Sequence, residues 1–289
     1  MKHYNQLMQL LKSSNPDNHR VAISIMKSHN WSPQKHHNVY KMLLYNDALL
    51  ELCIEMEFDK FLNKVLSYEI NKKELILIPD TLFFLKNLKE LKISGCKLVE
   101  VHPSIGQLKQ LKKLDLSNNM LDETVSTLSD LKELDELNLS NNLFKELPRE
   151  IALLKNLSVL NFANNCLTEL SASVKFMTGL KVLDLQHNEL KELPEEITKL
   201  SDLEVLNIYY NQLQSIPDGI GNLKKLKVLN LSSNDLTKIP ETIAALECLE
   251  ALYLDENPIA EIPEAILNMP SLKIIVLPEK LKKSDKWPI

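Results

Sequence analysis

The sequence predicts an α/β solenoid of 23-residue units behind an α-helical N-terminal cap, and three observations predict it. Apolar residues recur every 23 positions in three columns, asparagine recurs in a fourth, and a Leu/Ile-Pro pair recurs in a fifth. A period of a few tens of residues marks an array in which each unit buries its apolar face against the next.

The first column runs from Val65 and Leu88 through every 23rd residue to Leu272. Three residues on, a second runs from Tyr68 and Leu91 to Ile275. Two further on, a third runs from Ile70 and Ile93 to Leu277. The register never slips. The second and third columns are two residues apart, the period of a strand with one buried face. Each unit therefore contributes a short strand whose inward side chains share a core with the next unit.

Beyond the strand the chain must turn without a strand partner. Asparagine holds that column at Asn119, Asn142, Asn165, Asn188, Asn211, Asn234 and Asn257. Its side chain carries an acceptor oxygen and two donor hydrogens, so stacked copies can satisfy the buried backbone of the turn. Lys73 and Cys96 interrupt the column, and wetter, less regular turns are expected there.

The Leu/Ile-Pro pair occurs at Ile78-Pro79, Leu147-Pro148, Leu193-Pro194, Ile216-Pro217, Ile239-Pro240 and Ile262-Pro263. Proline fixes φ and suits the first turn of a helix. Apolar residues three and six places later, as at Ile197 and Leu200, suit one or two helical turns packed on the strand layer. The pair is replaced at Thr124-Val125 and Leu170-Ser171 and displaced at Val101-His102-Pro103, so looser outer segments are expected in those units.

The resulting pattern, LxxLxLxxNxLxxLPxxIxxLxx, is clearest at 203–225 and 226–248. It resembles the intracellular Ras-group leucine-rich repeats, a group that includes Ras-suppressor-type scaffolds and bacterial relatives. The resemblance covers 65–277. It implies a right-handed horseshoe with a parallel sheet on the concave side, short helical or 3-10 segments on the convex side, and use mostly in protein recognition.

Domain organisation follows. Residues 1–64 form a helical cap, 65–277 hold nine full repeats and a final partial one, and 278–289 form a C-terminal tail. In the cap, Asn15-Pro16 and Ser32-Pro33 each suit an N-cap followed by proline at the first helical position. Val21, Ile25 and Met26, then Val39, Met42 and Leu43, keep helical spacing, and Phe58, Phe61, Leu62 and Val65 lead into the first repeat. In the tail, Trp287 is placed to cover the last core.

Composition narrows the function. Net charge is -5 at pH 7, which gives no electrostatic case for nucleic acid or an anionic membrane. No signal-peptide pattern and no 18-residue apolar run occur. Cys53, Cys96, Cys166 and Cys248 are scattered and form no CxxC, so free thiols and a cytoplasmic location are expected. With 5 glycines and no P-loop, GxGxxG or GxSxG, no nucleotide site or catalytic elbow is read, and Gly219-Ile220-Gly221 reads as a turn. His29, His36 and His37 lack further ligands at metal spacing, and Cys166 with His187 reads as an ordinary turn thiol beside a surface histidine. No cofactor, metal or small-molecule substrate is expected.

On the horseshoe that the resemblance implies, the residues two, four, six and seven places after each first-column residue face the concave side or its rim. The fourth-place Asp/Asn run, Asp115 to Asn230, reads as a solvated ladder. Departures from habit are more informative. Gln186-His187 and Tyr209-Tyr210 replace small residues, and Tyr253, Asp255 and Glu256 follow. Exposed tyrosine offers large contact area at low entropic cost. The expected binding patch is therefore His187, Tyr209, Tyr210, Tyr253, Asp255 and Glu256, with Asp184 and Asn207 beside it. The expected role is a non-enzymatic adaptor or scaffold that binds a protein, in the family's flavour a regulator of intracellular signalling. The competing readings are an exported effector acting on a host protein and an enzyme with an unrecognised site.

Overall fold

The computed structural model describes residues 2–29, 47–56, 58, 62–70 and 75–282. Ten parallel strands form one open sheet in sequence order. They are β1 (Ser67–Ile70), β2 (Glu90–Ile93), β3 (Lys113–Asp115), β4 (Glu136–Asn138), β5 (Val159–Asn161), β6 (Val182–Asp184), β7 (Val205–Asn207), β8 (Val228–Asn230), β9 (Ala251–Tyr253) and β10 (Ile274–Val276). Each residue lies opposite the one a full repeat later, as Leu114 opposite Leu137 and Val182 opposite Val205. The middle residue of each short strand from β3 to β8 is buried and its neighbours face outward, the alternation the strand period demands. One continuous core extends from Leu7 to Leu281. Phe144 and Phe162 are its bulkiest fully buried residues, with ring centroids 5.1 Å apart across neighbouring repeats.

The asparagine column forms the expected ladder, and each rung reaches back one repeat. Asn188 Oδ1 accepts from the Leu167 amide at 3.0 Å, while Nδ2 donates to Leu185 O at 3.0 Å and Phe162 O at 3.1 Å. The same set recurs from Asn119 to Asn257. Cys96 departs from expectation. It is buried, and its thiol lies 3.9 Å from Ile70 O and 3.8 Å from Ser94 O, carbonyls matching those that Asn119 reaches. A dry thiol thus occupies the rung instead of a wetter turn. Lys73 lies outside the described residues.

On the convex side, 3-10 turns follow the Leu/Ile-Pro pairs, as at Asp80–Phe84, Glu195–Lys199, Asp218–Asn222 and Glu241–Ala245. Proline stands one residue ahead of each turn in extended conformation, with φ -64° at Pro79 and -68° at Pro194, one place earlier than expected. The Gly219-Ile220-Gly221 turn lies in Asp218–Asn222, where a Cβ on Gly221 would strike the Thr242 carbonyl oxygen.

The expectation of looser outer segments fails. Pro103–Gln107, Ser126–Asp130 and Ala172–Phe176 are each 5 residues, as long as those behind proline. The shortest, Ile151–Leu153, follows the regular Leu147-Pro148. Side chains replace proline as turn starters: His102 Nδ1 accepts from the Ser104 amide at 3.0 Å, and Ser171 Oγ from the Ser173 amide at 3.2 Å. The irregularity leaves buried hydroxyls at Thr124 and Ser173 that find no partner among the described residues.

The N-terminal residues are helical at α1 (Lys2–Lys12), α2 (Pro16–Ser28) and α3 (Asp47–Glu55). Asn15 caps α2 by accepting from the Asp17 amide at 2.9 Å, with Pro16 at the first helical position. The buried face of α2 is Ala22, Ile23 and Met26; Val21, expected inside, is 49% exposed, because α1 and α3 pack against the other side of the helix. Helix α3 rests on the Asp80–Phe84 turn, and Phe58, Leu62 and Val65 bury on the way to β1. Ser32-Pro33, Val39, Met42, Leu43 and Phe61 lie outside the described residues. Beyond β9 come α4 (Glu264–Leu267) and, after β10, α5 (Glu279–Lys282), whose buried Leu281 closes the last core. Trp287 lies outside the described residues.

Candidate functional site

The second-place column divides the inner face. It reads Ser67, Glu90, Lys113 and Glu136 on β1 to β4, then Val159, Val182, Val205, Val228, Ala251 and Ile274 on β5 to β10. On the first half, Lys113 pairs with Glu136 at 2.7 Å and Lys92 with Glu69 at 3.5 Å, along a groove of about 440 Å³. The Glu136 carboxylate, by hydrogen bond and charge, raises the Lys113 ammonium above its ordinary value. On the second half the four valines are half-buried and carry no charge. Sequence reasoning missed this division. The signal was the change from charged to β-branched residues in one column.

The fourth-place column corrects another expectation. Its Asp and Asn side chains are not a solvated ladder. The Oδ1 atoms of Asp115, Asn138, Asn161, Asp184, Asn207 and Asn230 each accept the amide two residues on, at 2.9 to 3.2 Å. This local bond closes the turn after each strand from β3 to β8. Asp184 and Asn207 therefore serve their own backbone first. They also touch: Asn207 Nδ2 donates to Asp184 Oδ1 at 3.1 Å. Burial raises the Asp184 carboxyl above its ordinary value, against the lowering effects of the Gln186 amide, Asn207 and the His187 charge.

The sixth place is mostly inside rather than on the face: Ser117, Ser140, Ala163 and Ser232 are buried. Gln186, Tyr209 and Asp255 lean out, half-buried, as does Ser94 on β2's turn. The seventh place is the rim, and its backbone is left-handed. Gly95 has φ +67°, Asn118 +57°, Asn141 +56° and Asn164 +55°, residue types that tolerate this region. His187 at +52° shares it, and Tyr210 and Ser233 at +55° and Glu256 at +54° do so at greater cost.

The structure gathers three of the expected site residues tightly. His187 stacks near Tyr210 with centroids 4.6 Å apart and rings 31° from parallel, and meets Tyr209 edge-on at 5.2 Å. Tyr209 and Tyr210 lie 6.0 Å apart, and Tyr210 is 56% exposed. Asp255 and Glu256 stand two repeats beyond His187's neighbour Tyr210, where they accept hydrogen bonds from Ser232 and Ser233. Tyr253 is half-buried on β9 and makes no ring contact with the tyrosine pair among the described residues.

Two lysines of this half are engaged in ion pairs away from the aromatic cluster. On the strand shoulder, Lys227 pairs with Glu204 at 2.6 Å and Lys273 with Glu250 at 2.8 Å. Hydrogen bonding and charge lower the Glu204 and Glu250 carboxyls and raise Lys227. Of the thiols, buried Cys53 is pushed up to about 12 by desolvation, and Cys166 is half-buried in its turn with its amide on Phe144 O at 2.9 Å. Among the described residues no group of three or more His, Cys, Asp or Glu could hold a metal ion, and no helix is long and apolar enough to cross a membrane. His36 and His37 lie outside the described residues.

Comparison with known proteins bears on the whole array. Residues 86–144, 132–190, 178–226 and 201–259 match the family model described as Leucine rich repeat. A leucine-rich-repeat protein of Leptospira interrogans is 30% identical with TM-score 0.69, over 80% of this chain and 62% of that one. An internalin of Listeria monocytogenes gives 23% and 0.65, over 75% and 62%. The plant peptide hormone receptor RGFR1 in complex with RGF2 gives 21% and 0.60, over 80% and 41%. The last two are likenesses of fold alone. The chain spans less than two thirds of the length of each. No curated protein matches it by sequence.

Proposed function

Because the chain belongs to the leucine-rich-repeat family, we propose that it is a non-enzymatic adaptor or scaffold that recognises a protein partner on the C-terminal half of its inner face. The observation that carries this is the valine row of β5 to β8 beside the His187–Tyr209–Tyr210 cluster. A partner covering β1 to β4 must strip water from charges already paired with one another, at a cost their attraction returns poorly. A partner covering β5 to β8 removes half-exposed valine and tyrosine surface from water, which is favourable.

Backbone strain points the same way. Asn serves the left-handed rim in three repeats, so Tyr210 and Glu256 hold that position against preference. Strain of about 1–3 kcal/mol per residue concentrates at binding surfaces. The inner face is an open arc, suited to a partner's surface and less to enclosing a small substrate. The plant receptor of similar fold is in complex with RGF2, which is consistent with a bound partner. The four free cysteines favour a reducing compartment, and we assign the protein to the cytoplasm as a signalling adaptor.

The test is replacement of Tyr209 and Tyr210 with alanine, followed by binding of the partner captured with the parent protein. The expected result is at least a roughly tenfold loss of affinity. Undiminished affinity in a folded double variant overturns the reading.

A further inference from the structure

We infer that the recognition face contains a notch for one arginine side chain of the partner, between Tyr210 and Glu256. This rests on the reading of the C-terminal half as the partner surface, and it adds the chemistry of what enters.

The walls are set by the repeat. Along the left-handed rim the residues follow one another as His187, Tyr210, Ser233 and Glu256, one per repeat. Just inside them stand Tyr209, Ser232 and Asp255. Neighbouring repeats are one strand spacing apart, about 4.8 Å, so the backbones that carry Tyr210 and Glu256 lie about 10 Å apart with the two small serines between them. Tyr210 presents one ring face to His187, 4.6 Å away in the preceding repeat. Tyr210 is 56% exposed, and among the described residues its ring contacts are with His187 and Tyr209 alone. From the far side the Asp255 and Glu256 carboxylates reach back over Ser232 and Ser233, whose hydroxyls donate to them.

Charge selects the occupant. From β5 to β9 the four inner-face columns carry no lysine or arginine, and their formal charges are Asp184, Asp255 and Glu256. Of the lysines beside this half, Lys225 pairs with Asp202, Lys227 with Glu204 and Lys273 with Glu250. Among the described residues no cation lies within ion-pair distance of Asp255 or Glu256. The field over the notch is negative and its floor is polar. A guanidinium is planar: it lies flat on a tyrosine face and presents paired N–H donors to a carboxylate. An ammonium supplies charge but neither the plane nor the fork.

The experiment uses the full chain with its tyrosine rings isotope-labelled, titrated with N-acetyl-argininamide and, in parallel, N-acetyl-citrullinamide, a neutral analogue of similar shape. Arginine is expected to shift the Tyr209 and Tyr210 ring resonances saturably, with citrulline about tenfold weaker. Asp255→Asn with Glu256→Gln is expected to weaken arginine about tenfold. Tyr210→Asn, which places at the rim a residue its backbone accepts in three other repeats, is expected to weaken it as much. Absence of a saturable shift, equal response to the two probes, or indifference to the acid replacements overturns the notch. The captured partner separates this from the broader reading. Binding that is lost with the tyrosines but indifferent to Asp255→Asn with Glu256→Gln removes the notch and keeps the face. Binding indifferent to both removes the face as well.

Discussion

On β2 to β4 the second-place column of the inner face carries Glu90, Lys113 and Glu136, with Lys113 and Glu136 tied across strands at 2.7 Å; on β5 to β8 the same column carries Val159, Val182, Val205 and Val228. Backbone, register and core are shared by the two regions, so the difference lies wholly in side chains that the fold does not need. The scaffold accepts either chemistry. One half answers its own charges, and exposed pairs of that kind add little stability. The other leaves apolar and acidic groups unanswered. The asparagine ladder separates the ends in a second way, since its rung in the β2 repeat is the thiol of Cys96.

The largest effect expected from this comparison is on the ladder. Asn165→Ala removes bonds to buried backbone groups in two repeats and should cost about 3 kcal/mol in urea unfolding. Cys96→Ala loses the weak thiol contacts to Ile70 O and Ser94 O and should cost about 1 kcal/mol. Equal losses would break the distinction between the rungs.

Next comes a swap across the boundary. Val205→Glu copies into β7 what Glu136 already is on β4, so the fold should bear it, while affinity for the captured partner falls about tenfold by calorimetry. The reverse swap, Glu136→Val, should leave that affinity within about twofold. A larger response to the reverse swap would move the binding face to the charged half.

A smaller effect is expected at the rim. Glu256→Asn relieves a left-handed residue with poor tolerance for it and should raise stability by about 0.5–1 kcal/mol in thermal melts. A loss would mean that the Ser233 hydrogen bond outweighs the strain.

The smallest concerns pH. The Asp184 carboxyl is raised in the folded state, so protonation favours folding. That contribution is complete below the ordinary carboxyl range and is lost as pH rises through the folded value. Asp184→Asn keeps the turn-closing oxygen, as Asn161 and Asn207 show, without the buried charge. It should be slightly more stable than the parent at pH 7, by less than about 0.5 kcal/mol, with the difference vanishing near pH 3. A parent that gains nothing on acidification would contradict the burial of this group.

The array was plain in the sequence because each structural demand repeats. Ten chances to see Leu, or seven to see Asn, make a column unmistakable, and Ile197 or Leu203 could be placed inside without a structure. What stayed hidden was local. That Asp115 and Asn138 bond their own turns depends on side-chain direction, which periodicity does not carry. The left-handed rim had a signal in Gly95, Asn118, Asn141 and Asn164 sharing one place, but His187 and Tyr210 there masked it. In α2 the helical period was correct and the face was off by one position, since Ala22 and Ile23 rather than Val21 meet the neighbouring helices. Within the site, the aromatic cluster was legible because tyrosine broke a habit of small residues. The charge boundary at Glu136 and Val159 was not, because each residue is ordinary by itself.

The seven non-glycine rim residues share φ within 52° to 57°, although they are Asn, His, Tyr, Ser and Glu. The backbone thus behaves as a row of identical sockets, and a new side chain alters what is displayed without altering where. Exchanging the Tyr209-Tyr210 dipeptide with Ser232-Ser233 would carry the aromatic wall one strand along the arc, about 4.8 Å, on an unchanged frame. Recognition on such a rim can be re-addressed in fixed steps, by transposing dipeptides, with no rebuilding of the core beneath.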